Sequence, residues 1–163
     1  MPQVKQYTVY KFEEASEDLQ AKILENYYDI NVDHDWWDMT YEDAKTIGLK
    51  IEEFDIDRGN NIKGEFIKPH EEVAKLIITN HGESCETYKL ASNFLEKYSK
   101  INDFDDDTLE TERDLEETDF KYALLEKYLS ILKKEYKYLT SEEAIKETLI
   151  ANEYDFNEAG EID

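Results

Sequence analysis

The sequence predicts an α+β fold, a small antiparallel sheet packed by several helices, and three observations predict it. Strand-like segments sit early and amphipathic helical segments late, without the βαβ alternation of a parallel sheet. Only 5 Gly and 2 Pro occur in 163 residues, which favours long regular elements over loops. Apolar residues at 40% and aromatics at 13% supply a core that a disordered acidic chain would lack. At this length residues 1–163 read as a single domain, with 102–118 an acidic connector or exposed helix within it.

The elements follow in order. Val4 to Phe12, "VKQYTVYKF", alternates well enough to be a strand. Ser16 is placed to cap the next helix, with Leu19, Ile23 and Tyr27 at four-residue spacing. Asn31 to Gly48 begins irregular and then becomes a helix ending at the glycine. "LKIEEFDID", "RGNN" and "IKGEFI" read as strand, turn and strand, with Gly and Asn supplying positive φ at the turn. The apolar phase slips between Ile51 and Phe54, the sign of a bulge or a two-sided strand.

Pro69 and Gly82 bracket a further helix. The next carries Tyr88, Ala91, Leu95 and Tyr98 on one stripe, with Leu90, Phe94 and Ile101 beside it. The longest helix is expected from Asp119 to Leu139, with adjacent seams Phe120-Leu124-Tyr128-Ile131 and Leu125-Leu129-Leu132-Tyr136. So wide an apolar face belongs in a core or partly in a subunit contact, a homodimer included. Thr140 and Glu143 have capping-box spacing ahead of a last helix, and "YDFNEAGEI" reads as a short strand and turn. The two helices flanking 102–118 form a hairpin bearing the acidic segment.

Charge excludes some functions. Asp and Glu number 41 against 19 Lys and Arg, a net charge of −22. Direct binding to nucleic acid or an anionic membrane is not expected, since both need a positive surface. Basic proteins are the natural partners. Cys85 is the sole cysteine, which excludes an internal disulfide and points to a reducing compartment. No segment reads as a signal peptide or a membrane span, so a host-cytoplasmic location is expected.

The segment "DFDDDTLETERDLEETD", 103–119, holds ten carboxylates and Arg113, nine net charges over 17 residues. As a helix it would carry one net charge per roughly 3 Å. Duplex DNA carries one per about 1.7 Å. Extended, the segment would carry one per roughly 6 Å. Thr108 is a candidate cap for such a helix, with Leu109 and Leu115 pinning it to the body. Asp103, Asp105, Asp107 and Asp114 fall at positions 1, 3, 5 and 12 of a calcium loop. Thr108 replaces its turn glycine, and Asp114 replaces its bidentate Glu.

The expected partner-binding set is Asp103, Asp105, Asp106, Asp107, Glu110, Glu112, Asp114, Glu116 and Glu117, joined by two further clusters. Asp33, Asp35, Trp37 and Asp38 form one, and Glu52, Glu53, Asp55 and Asp57 the other. An adjacent Trp36–Trp37 pair cannot easily point both rings inward, so one ring could reach solvent.

Catalytic motifs are missing. Carboxylates are too abundant for any pair to be diagnostic, "HEEVA" has Ala74 where a zinc helix needs its second His, and no phosphate-binding glycine loop occurs. The reading is non-enzymatic, with no cofactor and no metal.

"YTVYKF", "INVDHDWW", "GLKIEEFDIDRG", "KGEF" and "ANEYDF" together resemble a family of small acidic proteins encoded by phages and prophages, over most of the chain. The resemblance implies a host-directed phage protein. By analogy of class, small acidic phage proteins inhibit defence enzymes by resembling nucleic acid. The expected function is thus inhibition of a basic, nucleic-acid-binding host defence protein, a CRISPR effector or restriction nuclease, through an acidic mimicking surface. The alternative is an adaptor or antitoxin-like protein that binds through apolar contacts.

Overall fold

Six α-helices and two small antiparallel sheets make this an α+β fold, in a computed structural model that describes residues 2–101 and 106–163. The side chains of Asp106 and Asp107 lie outside that description, as do Asp103 and Asp105 altogether. Two compact units divide the chain: Met1–Trp36 with Glu135–Asp163, and Trp37–Lys134.

In the second unit, helix α2 (Asp38–Thr46) is followed, one residue past its Ile47 cap, by Gly48, whose φ of +87° suits glycine. A Cβ there would also lie 3.1 Å from Val73 Cγ2. Strands β2 (Leu49–Asp55) and β3 (Asn61–Phe66) then pair antiparallel. The register runs Ile51 to Gly64 and then Glu53 to Lys63, leaving Glu52 as the extra residue of a bulge. That bulge explains the phase slip. Phe54 pairs with Ile62, two residues from Gly64, so the bulge returns it to the face of Ile51. At the turn the positive φ belongs to Asn60 (45°), whereas Gly59 keeps an ordinary one.

Helix α3 (His70–Asn80) starts just after Pro69, whose carbonyl accepts from the Val73 N–H. Helix α4 (Glu86–Ile101) and α5 (Asp106–Leu139) pack antiparallel. Phe94 stacks on Phe120 at 4.4 Å, and Lys127 reaches Glu86 at 2.9 Å. Leu49, Ile51, Val73, Ile77, Phe94, Phe120, Leu124, Leu125 and Tyr128 form the core. Burial of each such side chain contributes about 1.5–3 kcal/mol. Helix α5 reaches the sheet at Gly64, where a Cβ would stand 3.0 Å from Leu125 Cδ2 and 2.7 Å from the Lys50 carbonyl.

The first unit packs α1 (Glu17–Asn26) and α6 (Glu142–Ala151) with a short pair, β1 (Tyr10–Lys11) and β4 (Asp155–Phe156). Phe12, Ile23, Ile145, Leu149 and Phe156 are its core. Ser16 caps α1 by accepting from the Leu19 N–H, as its position predicts.

Four expectations need correction. The strand expected over Val4–Phe12 is only Tyr10–Lys11, because its partner β4 has just two residues to offer. The longest helix begins at Asp106 instead of Asp119, taking in Thr108, which is therefore no cap. Leu115 does not pin it, being 53% exposed, whereas Leu109 is half-buried. The last helix is capped by Ser141, which accepts from the Ala144 N–H, while Thr140 donates back to the Tyr136 carbonyl.

Candidate partner-binding surface

The acidic sequence between α4 and the apolar half of α5 becomes a surface because it is helical. From Asp106 to Asp119 there are eight carboxylates and Arg113, a net charge of −7 in 14 residues. At 1.5 Å per residue that is one net charge per roughly 3 Å. A single strand of duplex DNA spaces its phosphates at about 3.4 Å. Glu110 and Asp114 are exposed, and Glu112, Glu116 and Glu117 half-buried.

Side chains from the body hold this part of α5. The Tyr98 hydroxyl of α4 donates to Glu117 Oε1 at 3.1 Å, and His70 Nδ1 lies 3.8 Å from Glu117 Oε2. The Arg113 guanidinium sits 5.8 Å from the centre of the Tyr98 ring. One turn on, Lys121 pairs with Glu65 of β3 at 3.3 Å. Burial pushes the His70 imidazole below its ordinary value, opposed by the Glu117 carboxylate and helped by Lys121. His70 also meets the Phe66 ring edge-on at 4.7 Å.

The other expected residues fall into different settings. Glu53 pairs with Lys63 across the hairpin at 3.1 Å, and Glu52 is the exposed bulge residue. Asp55 is a turn residue: its Oδ1 accepts from the N–H groups of Asp57 (2.9 Å) and Arg58 (3.0 Å). Those backbone donors, Arg58 first, hold its carboxyl below the usual range. Asp57 is exposed. Asp38 is exposed in the first turn of α2, where the helix dipole favours a negative charge.

Trp37 packs its ring on Phe54 at 5.7 Å and Tyr41 at 6.4 Å, and is half-buried. Trp36 is half-buried too, 5.5 Å from the Tyr136 ring, so neither tryptophan is the fully exposed one. Asp33 and Asp35 belong to the first unit and are exposed, with Asp33 Oδ1 3.2 Å from His34 Nδ1. Because Asp107 to Asp114 are helical, the calcium-loop spacing does not form a loop. Among the described residues no group of three His, Cys, Asp or Glu side chains is placed to hold a metal ion. Nor is any helix there long and apolar enough to cross a membrane.

A cleft of about 450 Å³ lies where α2, α3, α4 and α5 meet, with Asp43, His81, Cys85 and Lys134 in its wall. Several of its polar groups pair with one another. The buried Tyr128 donates to Asp43 Oδ2 at 3.0 Å, and His81 Nδ1 is 2.6 Å from the Thr87 hydroxyl. His81 Nε2 faces Asp43 at 3.8 Å, so both ring nitrogens have neighbours other than Cys85. A thiol nucleophile needs a base turned toward it. Burial, with the Asp43 charge behind it, pushes the Tyr128 phenol far above its ordinary value.

Sequence reading missed the residues that hold the array, Tyr98, His70 and Lys121. Tyr98 and Lys121 carried ordinary core or surface signals, and nothing in the spacing of His70 linked it to Glu117. No protein family, curated protein or solved structure matches the chain.

Proposed function

We propose that this chain is a non-enzymatic, phage-encoded inhibitor of a basic, nucleic-acid-binding host protein, a CRISPR effector or restriction nuclease. The observation that carries the reading is the continuous α5 helix, which holds Glu110, Glu112, Asp114, Glu116, Glu117 and Asp119 at an axial charge density of one net charge per roughly 3 Å, close to that of a phosphate strand. A fixed array loses less conformational entropy on docking than a loose tail would. The composition of the chain and its resemblance to small acidic phage proteins support the host-directed part. The test is capture from host lysate at two ionic strengths, with the captured protein identified. A nucleic-acid-binding enzyme held at low salt, released at high salt and displaced by its nucleic acid supports the reading. A partner held equally at both salts and indifferent to nucleic acid overturns it.

A second reading is favoured by Leu115 and Tyr122, 53% and 59% exposed and seven residues apart on one face of α5. An adaptor or antitoxin-like protein would use that apolar pair. Leu115→Ser with Tyr122→Ser would then abolish binding, while neutralising the acids would leave it intact.

A further inference from the structure

A groove of about 160 Å³ runs between α4 and α5. Its lining is mostly apolar, with Leu90, the stacked and nearly buried Phe94 and Phe120, and Ala123, beside the polar Asn93. On the α5 side the rim carries Glu116 and Asp119, three residues apart and therefore neighbours on the helix surface. Neither has a hydrogen-bond or ion-pair partner among the described residues. Lys97 on the α4 side balances one of these charges, leaving the rim net negative.

Size and charge select the occupant. At roughly 30 Å³ per water the groove holds about five, well short of the 300–1,000 Å³ of a small-molecule site. One long side chain fits that scale. A mostly apolar lining beside two unengaged carboxylates matches an aliphatic stem ending in a cation. The planar, weakly hydrated guanidinium suits a carboxylate pair beside aromatic rings better than a compact ammonium does.

We propose that this groove seats one arginine side chain of the basic partner, its stem over Phe94, Phe120 and Ala123 and its guanidinium between Glu116 and Asp119. The proposal rests on the reading of the chain as a binder of a basic protein. It adds an anchoring point to what is otherwise diffuse charge attraction, as interface arginines often do.

The test titrates the full chain with N-acetyl-arginine amide, and with N-acetyl-lysine amide as control, at one ionic strength while NMR follows the Ala123 methyl and the Phe94 and Phe120 rings. Arginine is expected to give saturable shifts confined to the groove, about fivefold tighter than lysine. E116Q/D119N should weaken the arginine response about tenfold or more, and Ala123→Leu, which fills the groove at unchanged charge, should remove it. Equal response to both cations, or an unchanged response in the variants, overturns the proposal. If Ala123→Leu loses its dispersed spectrum, the E116Q/D119N pair, at a half-buried and an exposed position, decides alone. A groove that takes arginine while no basic protein is captured at low salt would sink the proposed function and leave the groove standing. Salt-sensitive capture with no arginine preference would do the reverse.

Discussion

The Tyr98 hydroxyl and Glu117 Oε1 meet at 3.1 Å, 19 residues apart in sequence, and join the acidic end of α5 to α4. The ring under that hydroxyl also receives the Arg113 guanidinium at 5.8 Å. Tyr98→Phe keeps the ring and removes the bond. It is expected to destabilise the chain by about 1 kcal/mol, since Glu117 is only half-buried and water replaces part of what is lost. Amide hydrogen exchange around 110–117 should quicken more than exchange in the core of α3.

His70 gives the fold a dependence on mild acid. Burial lowers its pKa below the ordinary 6.5, so as pH falls the unfolded chain takes up the proton first. Its contribution to stability is complete above about pH 6.5 and is lost progressively below it. Urea midpoints at pH 7.5 and 5.5 should differ more for the unmodified chain than for His70→Gln, a comparison in which the other titrating groups cancel.

At Gly64 the backbone lets α5 lie close on the sheet. A Cβ there would meet the Lys50 carbonyl at 2.7 Å, a contact that backbone atoms cannot relieve cheaply. Gly64→Ala should cost about 1–3 kcal/mol. Substituting the exposed Gly82, whose Cβ meets nothing within 4 Å, should cost less, as thermal unfolding of the two variants will show.

The start of α6 separates two neighbouring hydroxyls. Ser141→Ala removes the bond to the Ala144 N–H and should cost about 1 kcal/mol. Thr140→Ala removes only hydrogen bonding back to the helix carbonyls of Tyr136 and Lys137 and should change stability by less than about 0.5 kcal/mol.

Local signals carried much of this fold. Pro69 and Gly48 mark helix ends through backbone restrictions that act within one residue, and the slip from Ile51 to Phe54 records a bulge in a single strand. Errors arose where the deciding partner is distant or the period is polar. Val4 to Val9 alternate like a strand, yet β4 pairs only Tyr10 and Lys11. The first turns of α5 lack an apolar stripe, so periodicity could not find a helix start at Asp106. The acidic residues of the surface were legible as composition. That Glu117 is tethered, Glu53 paired and Asp55 spent on a turn depends on Tyr98, Lys63 and two backbone N–H groups, which only the folded chain brings to them.

The most direct test is the salt dependence of binding to the captured host protein, compared between the unmodified chain and E110Q/E112Q/D114N/E116Q. If the acidic helix docks in a basic groove, log K falls steeply with log salt, nucleic acid competes, and the variant binds more weakly with a flatter slope. Equal affinity and equal slope for the two chains, with no competition from nucleic acid, would contradict it.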